Sequence, residues 1–134
     1  MPLIGNFSFD NYGLGGFEKD APPVLLTSGI QNASTSLLSQ RFHDRASQGS
    51  AYYIVAAGLD FKGAIPKLIL IKQNGAVTGI YVRDAKNQFG DSLISWNNFV
   101  SCVGSLTTDN FYVTTNSFRL QVSQTQPYNW EAWG

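Results

Sequence analysis

A chain of 134 residues with 43% hydrophobic content fits one globular domain and is too apolar for a disordered one. Charged residues make up only 13%, against a usual ~25%, and nine basic residues balance nine acidic ones. No run of Lys or Arg occurs, so nucleic-acid binding through clustered cations is not expected, while a neutral surface rich in Ser, Thr, Asn and Gln suits permanent contact with neighbours.

Residues 1–23 read as an extended N-terminal arm. Phe7, Phe9, Tyr12 and Phe17 are spaced among Gly5, Gly13, Gly15 and Gly16, a composition that loses much backbone entropy on ordering and is therefore expected to dock on something. The arm either tucks onto its own domain or embraces a neighbouring subunit. Pro22-Pro23 favours extended backbone into Val24-Leu25-Leu26. Over residues 34–47, Leu37, Leu38, Phe42 and Ala46 recur near helical spacing, with Ser34 or Thr35 as N-cap and Gly49 beyond, which predicts a serine-weakened helix.

Tyr52-Tyr53-Ile54-Val55, bounded by Gly49 and Gly58, predicts a strand. The hairpin signal at Lys67–Arg83 is stronger, because Asn74-Gly75 supplies the positive φ angles of a two-residue type I′ turn. That turn sets Ile71 opposite Thr78, Leu70 opposite Gly79, Ile69 opposite Ile80 and Leu68 opposite Tyr81. Both faces of the ribbon are then apolar, so both require a cover. Gly79 in mid-strand marks a bulge or a close approach. Residues 91–104 fit a helix with Leu93, Trp96, Phe99, Val100 and Val103 on one face and Asp91 as N-cap. A strand carrying Ile94, Trp96, Val100 and Cys102 fits almost as well, and the helix is preferred. Phe111 and Val113, then Phe118, Leu120 and Val122, alternate with polar residues around a turn at Thr115-Asn116, as antiparallel strands do. Residues 127–134 close the chain as an aromatic tail. Tyr128, Trp130 and Trp133 there pack back on the domain, anchor a subunit contact, or form a sugar-stacking platform.

No catalytic set emerges. His43 is the sole histidine, and beside Asp44 it reads as a polar surface or capping residue. Cys102 is the sole cysteine, which rules out an intrachain disulfide and reads as a small buried hydrophobe. Asp60, Asp84, Asp91 and Asp109 lie near strand ends and turns, where Asp is favoured for its own geometry. Asp84, Asn87 and Asp91 lack the spacing of a twelve-residue calcium loop, and Leu14-Gly15-Gly16 lacks the ending of a phosphate loop. Neither a catalytic residue, a cofactor nor a metal is expected. The first residues lack a basic region followed by an apolar run, so the chain is expected to be made in a cytoplasm without a signal peptide, and no stretch is long enough to span a membrane.

A small, β-rich, uncharged-polar chain with aromatic extremities resembles small virion proteins of tailed bacteriophages, head-decoration (cement) and tail proteins in particular. The resemblance is compositional and covers the whole chain. It implies a mainly β fold, an antiparallel β-sandwich or jelly-roll-like single domain with one or two short helices and extended termini. It also implies a non-enzymatic homo-oligomer, trimeric or hexameric, in contact with neighbouring virion proteins and without nucleic acid or membrane. Phe7, Phe9, Tyr12, Phe17, Tyr128, Trp130 and Trp133 are the expected interface anchors. The alternative expectation is a carbohydrate-binding or receptor-recognition module.

Overall fold

The computed structural model describes residues 23–44, 48–104 and 110–134. Among them run ten strands and no helix: β1 (Leu25–Asn32), β2 (Leu38–Arg41), β3 (Gln48–Ala56), β4 (Leu68–Gln73), β5 (Ala76–Lys86), β6 (Ser92–Trp96), β7 (Phe99–Val103), β8 (Tyr112–Val113), β9 (Phe118–Val122) and β10 (Pro127–Trp133). They form two antiparallel sheets, one of six strands in the order β1-β10-β4-β5-β6-β7 and one of four in the order β2-β3-β9-β8. The mainly β, sandwich-like architecture agrees with the expectation from sequence. The expected short helices are absent from the described residues.

The two sheets enclose one apolar core. Ile69, Ile71, Tyr81, Ile94, Trp96, Trp130 and Ala132 come from the larger sheet, and Ile54, Phe118, Leu120 and Val122 from the smaller. Phe118 meets Trp130 edge to face at 5.0 Å between ring centroids, joining the layers at their centre. Gly29 on β1 allows this, since a Cβ there would lie 2.8 Å from the Trp130 ring. After β1 the chain crosses to the second layer. The Ala33 N–H donates to Gln126 O, and the Ser34 N–H donates to Tyr53 O at 2.8 Å.

The segment predicted as a helix over 34–47 is extended where it is described. Ser34 Oγ accepts from the Tyr53 N–H at 3.1 Å and donates to Ser36 O at 2.7 Å. Hydroxyl groups that satisfy nearby backbone compete with helical bonding, and β2 then pairs with β3 from Leu38 opposite Ala51 to Arg41 opposite Gln48. The helix preferred for 91–104 is also replaced, by the hairpin β6–β7. Its two-residue turn is Asn97-Asn98, with φ of 44° and 65°. Asn tolerates the left-handed region, so this dipeptide makes the same kind of turn as Asn-Gly.

The turn at Asn74-Gly75 forms as expected, with φ of 53° and 83°, but the register beyond it differs. A bulge between Ile71 and Lys72 sets Ile71 opposite Gly79, Leu70 opposite Ile80, Ile69 opposite Tyr81 and Leu68 opposite Val82. Thr78 is the extra residue, and its Oγ1 donates to Ile71 O at 3.4 Å. The slip turns Tyr81 into the core and Ile80 outward. It also seats Gly79 under Ile71, whose side chain would lie 3.4 Å from a Cβ at that position. The aromatic segment read as a tail is β10, which lies between β1 and β4 within the larger sheet.

Candidate functional site: the outer face of the six-stranded sheet

Strand register defines which side chains share the face turned away from the core, because residues opposite one another point to the same side. One outer row runs Leu25, Trp133, Leu68, Val82, Leu93 and Cys102. The next runs Ser28, Glu131, Leu70, Ile80, Ser95 and Val100. Ile30, Asn129, Lys72 and Val77 complete the surface. Ile80 and Val100 are 39% and 40% exposed, and Ile30 reaches 68%. Leu68, Leu70, Val82 and Leu93 are half-buried, yet they belong neither to the core cluster nor to the side chains packed against it. The result is an aliphatic patch over the four neighbouring strands β4, β5, β6 and β7, with Trp133 of β10 at its side and Leu25 and Ile30 of β1 beyond.

Its polar centre is small. Lys72 Nζ donates to Glu131 Oε2 at 3.1 Å, and Trp133 Nε1 donates to Glu131 Oε1 at 3.3 Å. The carboxylate is thus held by two donors on its own face, and the half-buried ring of Trp133 is fixed beside Leu68. At the β7 end the row is closed by loops. The Cys102 thiol donates to Phe42 O at 3.2 Å and lies 3.5 Å from both Asp91 Oδ2 and Asn87 Nδ2.

The expected anchors separate. Phe7, Phe9, Tyr12 and Phe17 lie outside the described residues. Tyr128 and Trp130 are buried in the chain's own core, so packing back on the domain describes these two. Trp133 alone of the C-terminal aromatics retains partial exposure, on the outer face. A sugar-stacking pair at Trp130 and Trp133 is therefore not displayed, because the two rings sit on opposite sides of β10. The apolar character of Leu70, Ile80 and Val82 was legible in the β4–β5 ribbon, but the register expected from the turn put Leu70 and Ile80 on opposite sides, and only the bulge brings them to one face. Leu93 and Val100 were hidden by the helical reading, and Ile30 carries no signal beyond its own hydrophobicity.

The remaining candidates for chemistry lie apart. His43 sits in an exposed turn, where its backbone N–H donates to Val100 O and its carbonyl accepts from Asn87 Nδ2 at 2.9 Å. Asp60 accepts the N–H of Lys62 at 3.0 Å, and that bond and the Lys62 charge hold its carboxyl below the usual range. Asp84 pairs with Arg83 at 3.2 Å. Asp109 is outside the described residues. Among the described residues, no group of three or more His, Cys, Asp or Glu side chains stands close enough to hold a metal ion. A hollow of about 210 Å³ is lined by Ser39, Gln40, Arg41, Gln48, Cys102 and Asn110. Another of about 360 Å³ is lined by Thr78, Ile80, Ser95, Trp96 and Asn98. The Asp91 carboxylate that the Cys102 thiol meets at 3.5 Å lines neither hollow.

No protein-family model matches the chain, and neither does any curated protein or solved structure.

Proposed function

We propose that this chain is a non-enzymatic structural subunit of a virion, a head-decoration or tail component of a bacteriophage. It assembles as a homo-oligomer, trimeric or hexameric, and meets neighbouring virion proteins through the surface of a rigid β-sandwich. The observation that carries the reading is the aliphatic outer face of the six-stranded sheet. An antiparallel sheet ordinarily turns a polar face to water. Here Leu68, Leu70, Ile80, Val82, Leu93 and Val100 stand where polar residues would serve a solitary domain. Contiguous apolar surface on this scale marks an interaction site. The low charge of the chain supports the same reading, since few ions need to be desolvated when such faces meet.

Native mass spectrometry of the full chain tests assembly. A trimer or hexamer is expected, and a monomer that persists at the highest soluble concentration overturns it. Quantitative proteomics of purified phage particles tests the location. Copy numbers in multiples of three are expected, and absence of the chain from particles overturns the virion assignment.

A further inference from the structure

The four sheet edges are not treated alike. β8 is two residues long and β2 is four, and short edges offer little to pair with. The β7 edge is bridged to the other layer, since Phe42 pairs with Ser101, the His43 N–H donates to Val100 O, and the Gly104 N–H donates to Phe111 O at 3.0 Å. β1 is different. It runs eight residues, Leu-Leu-Thr-Ser-Gly-Ile-Gln-Asn, with no charge and no proline, and among the described residues no strand pairs with its free side. Its Ile30 is the most exposed of the large hydrophobic side chains described. Lysine, proline and brevity are the usual guards of an edge, and β1 has none of them.

We infer that β1 is a strand-pairing edge and that its partner is β1 of a second copy, joined antiparallel about a two-fold axis. This deepens the assembly reading and rests on it. A second copy is favoured over a charged peptide because β1 presents nothing for a charge to meet, while two neutral strands pair without desolvating an ion. It also continues the site already described, because Ile30, Ser28 and Leu25 lie on the outer face beside Trp133 and Leu70. Pairing at β1 therefore merges two six-stranded sheets and aligns their aliphatic faces. Like faces meet only where a residue opposes itself, so a residue near the middle of the strand, Ser28, Gly29 or Ile30, sits on the axis. With Ser28 there, Ser28 opposes its own copy; with Gly29 there, Ile30 opposes Ser28 of the other copy; and with Ile30 there, Ile30 opposes Ile30. A two-fold contact also selects among assemblies. It is compatible with a dimer or with a hexamer built as three dimers, and not with a simple trimer.

Native mass spectrometry of the full chain beside its Ile30→Lys variant tests this, with circular dichroism as the check on folding. The expected result is an even-numbered assembly that halves on substitution, dimer to monomer or hexamer to trimer. A trimer for the unsubstituted chain overturns β1 pairing and leaves the assembly reading standing. So does an even-numbered assembly untouched by Ile30→Lys, the result expected if residues 1–22 of the same chain occupy the edge. A monomeric unsubstituted chain overturns both. A second variant removes dependence on the lysine: Ser28→Cys with Ile30→Cys in a Cys102→Ser background. Oxidation is expected to give a covalent dimer in each of these registers, since directly opposed positions lie within disulfide reach. Exclusively monomeric product overturns the pairing.

Discussion

The two sheets finish their outer faces differently. On the four-stranded sheet, the chain covers itself. Arg119 lies over the rings of Tyr53 and Tyr112, with its guanidinium carbon 5.6 and 5.2 Å from their centroids. Its Nε donates to Asn110 O, and Phe111, buried as part of the core cluster, packs edge-on against Tyr53 at 6.5 Å. On the six-stranded sheet the outer rows are aliphatic, and no described segment serves as Asn110-Phe111 does opposite. Both faces needed a lid, because neither is polar throughout. Only one lid comes from a described part of this chain, so substitutions on the two faces should differ in kind, one set changing stability and the other association.

The largest effect is expected at Phe111. Phe111→Ala removes the ring that seals the smaller sheet and should cost about 3–5 kcal/mol, read as a lower urea midpoint with an unchanged slope. A loss below about 1 kcal/mol would mean that this lid is loosely seated and that the two faces are less different than their geometry indicates.

Tyr81 probes the inner side of the larger sheet, beneath the bare face. Burial pushes its hydroxyl up to about 12, from an ordinary value of 10.0. The folded state thus favours the protonated phenol. That stability is fully present below pH 10 and is lost as pH rises toward 12, because the unfolded chain ionises first. The loss should approach about 1.4 kcal/mol per pH unit within that window. Chemical denaturation from pH 9 to 11 should show it, and Tyr81→Phe should flatten the slope. An unchanged slope in that variant would mean that water reaches the inner layer from the open side.

The smaller-sheet lid also has a polar component. Arg119→Ala should cost about 0.5–1 kcal/mol through the lost ring contacts, and Arg119→Lys should recover only part of it. Equal stability of all three chains would show that Phe111 closes that face without help.

These contrasts also explain what was legible in the sequence. Asn74-Gly75 announced its hairpin because two residues suffice to make the turn. The bulge beyond it was not legible, since it is imposed by what the sheet must put inside: Tyr81 is buried and Ile80 is turned out, and the local alternation permits either. The helical reading rested on the stripe of Leu93, Trp96, Phe99, Val100 and Val103 and made no use of Asn97-Asn98, the dipeptide that makes the β6–β7 turn. The aromatic residues at the C-terminus were visible as unusual. Their destination depended on β10 entering the sheet between β1 and β4, a pairing across more than fifty residues of sequence that no local pattern encodes. The outer face was half-legible for the same reason. The β4–β5 ribbon displayed two apolar sides on its own, whereas Leu93 and Val100 joined them only once β6 and β7 were strands.

The smallest expected change in stability falls on the bare face, and it is the most informative. Ile80→Ser with Val100→Ser replaces two side chains that are already well over a third exposed. Each should alter folding stability by about 0.5 kcal/mol or less, since little area is recovered from water in one copy alone. In an assembly that covers the face, the same two side chains would be buried, and each would add about 1.5–3 kcal/mol at full burial. The double variant should therefore unfold at nearly the parental urea midpoint when dilute while losing its oligomer in native mass spectra at matched concentration. Phe111→Ala should do the reverse, weakening the fold and sparing association in whatever fraction remains folded. If Ile80→Ser with Val100→Ser leaves the oligomer intact, the outer rows face solvent in the assembly, and the contact belongs to the β1 edge alone.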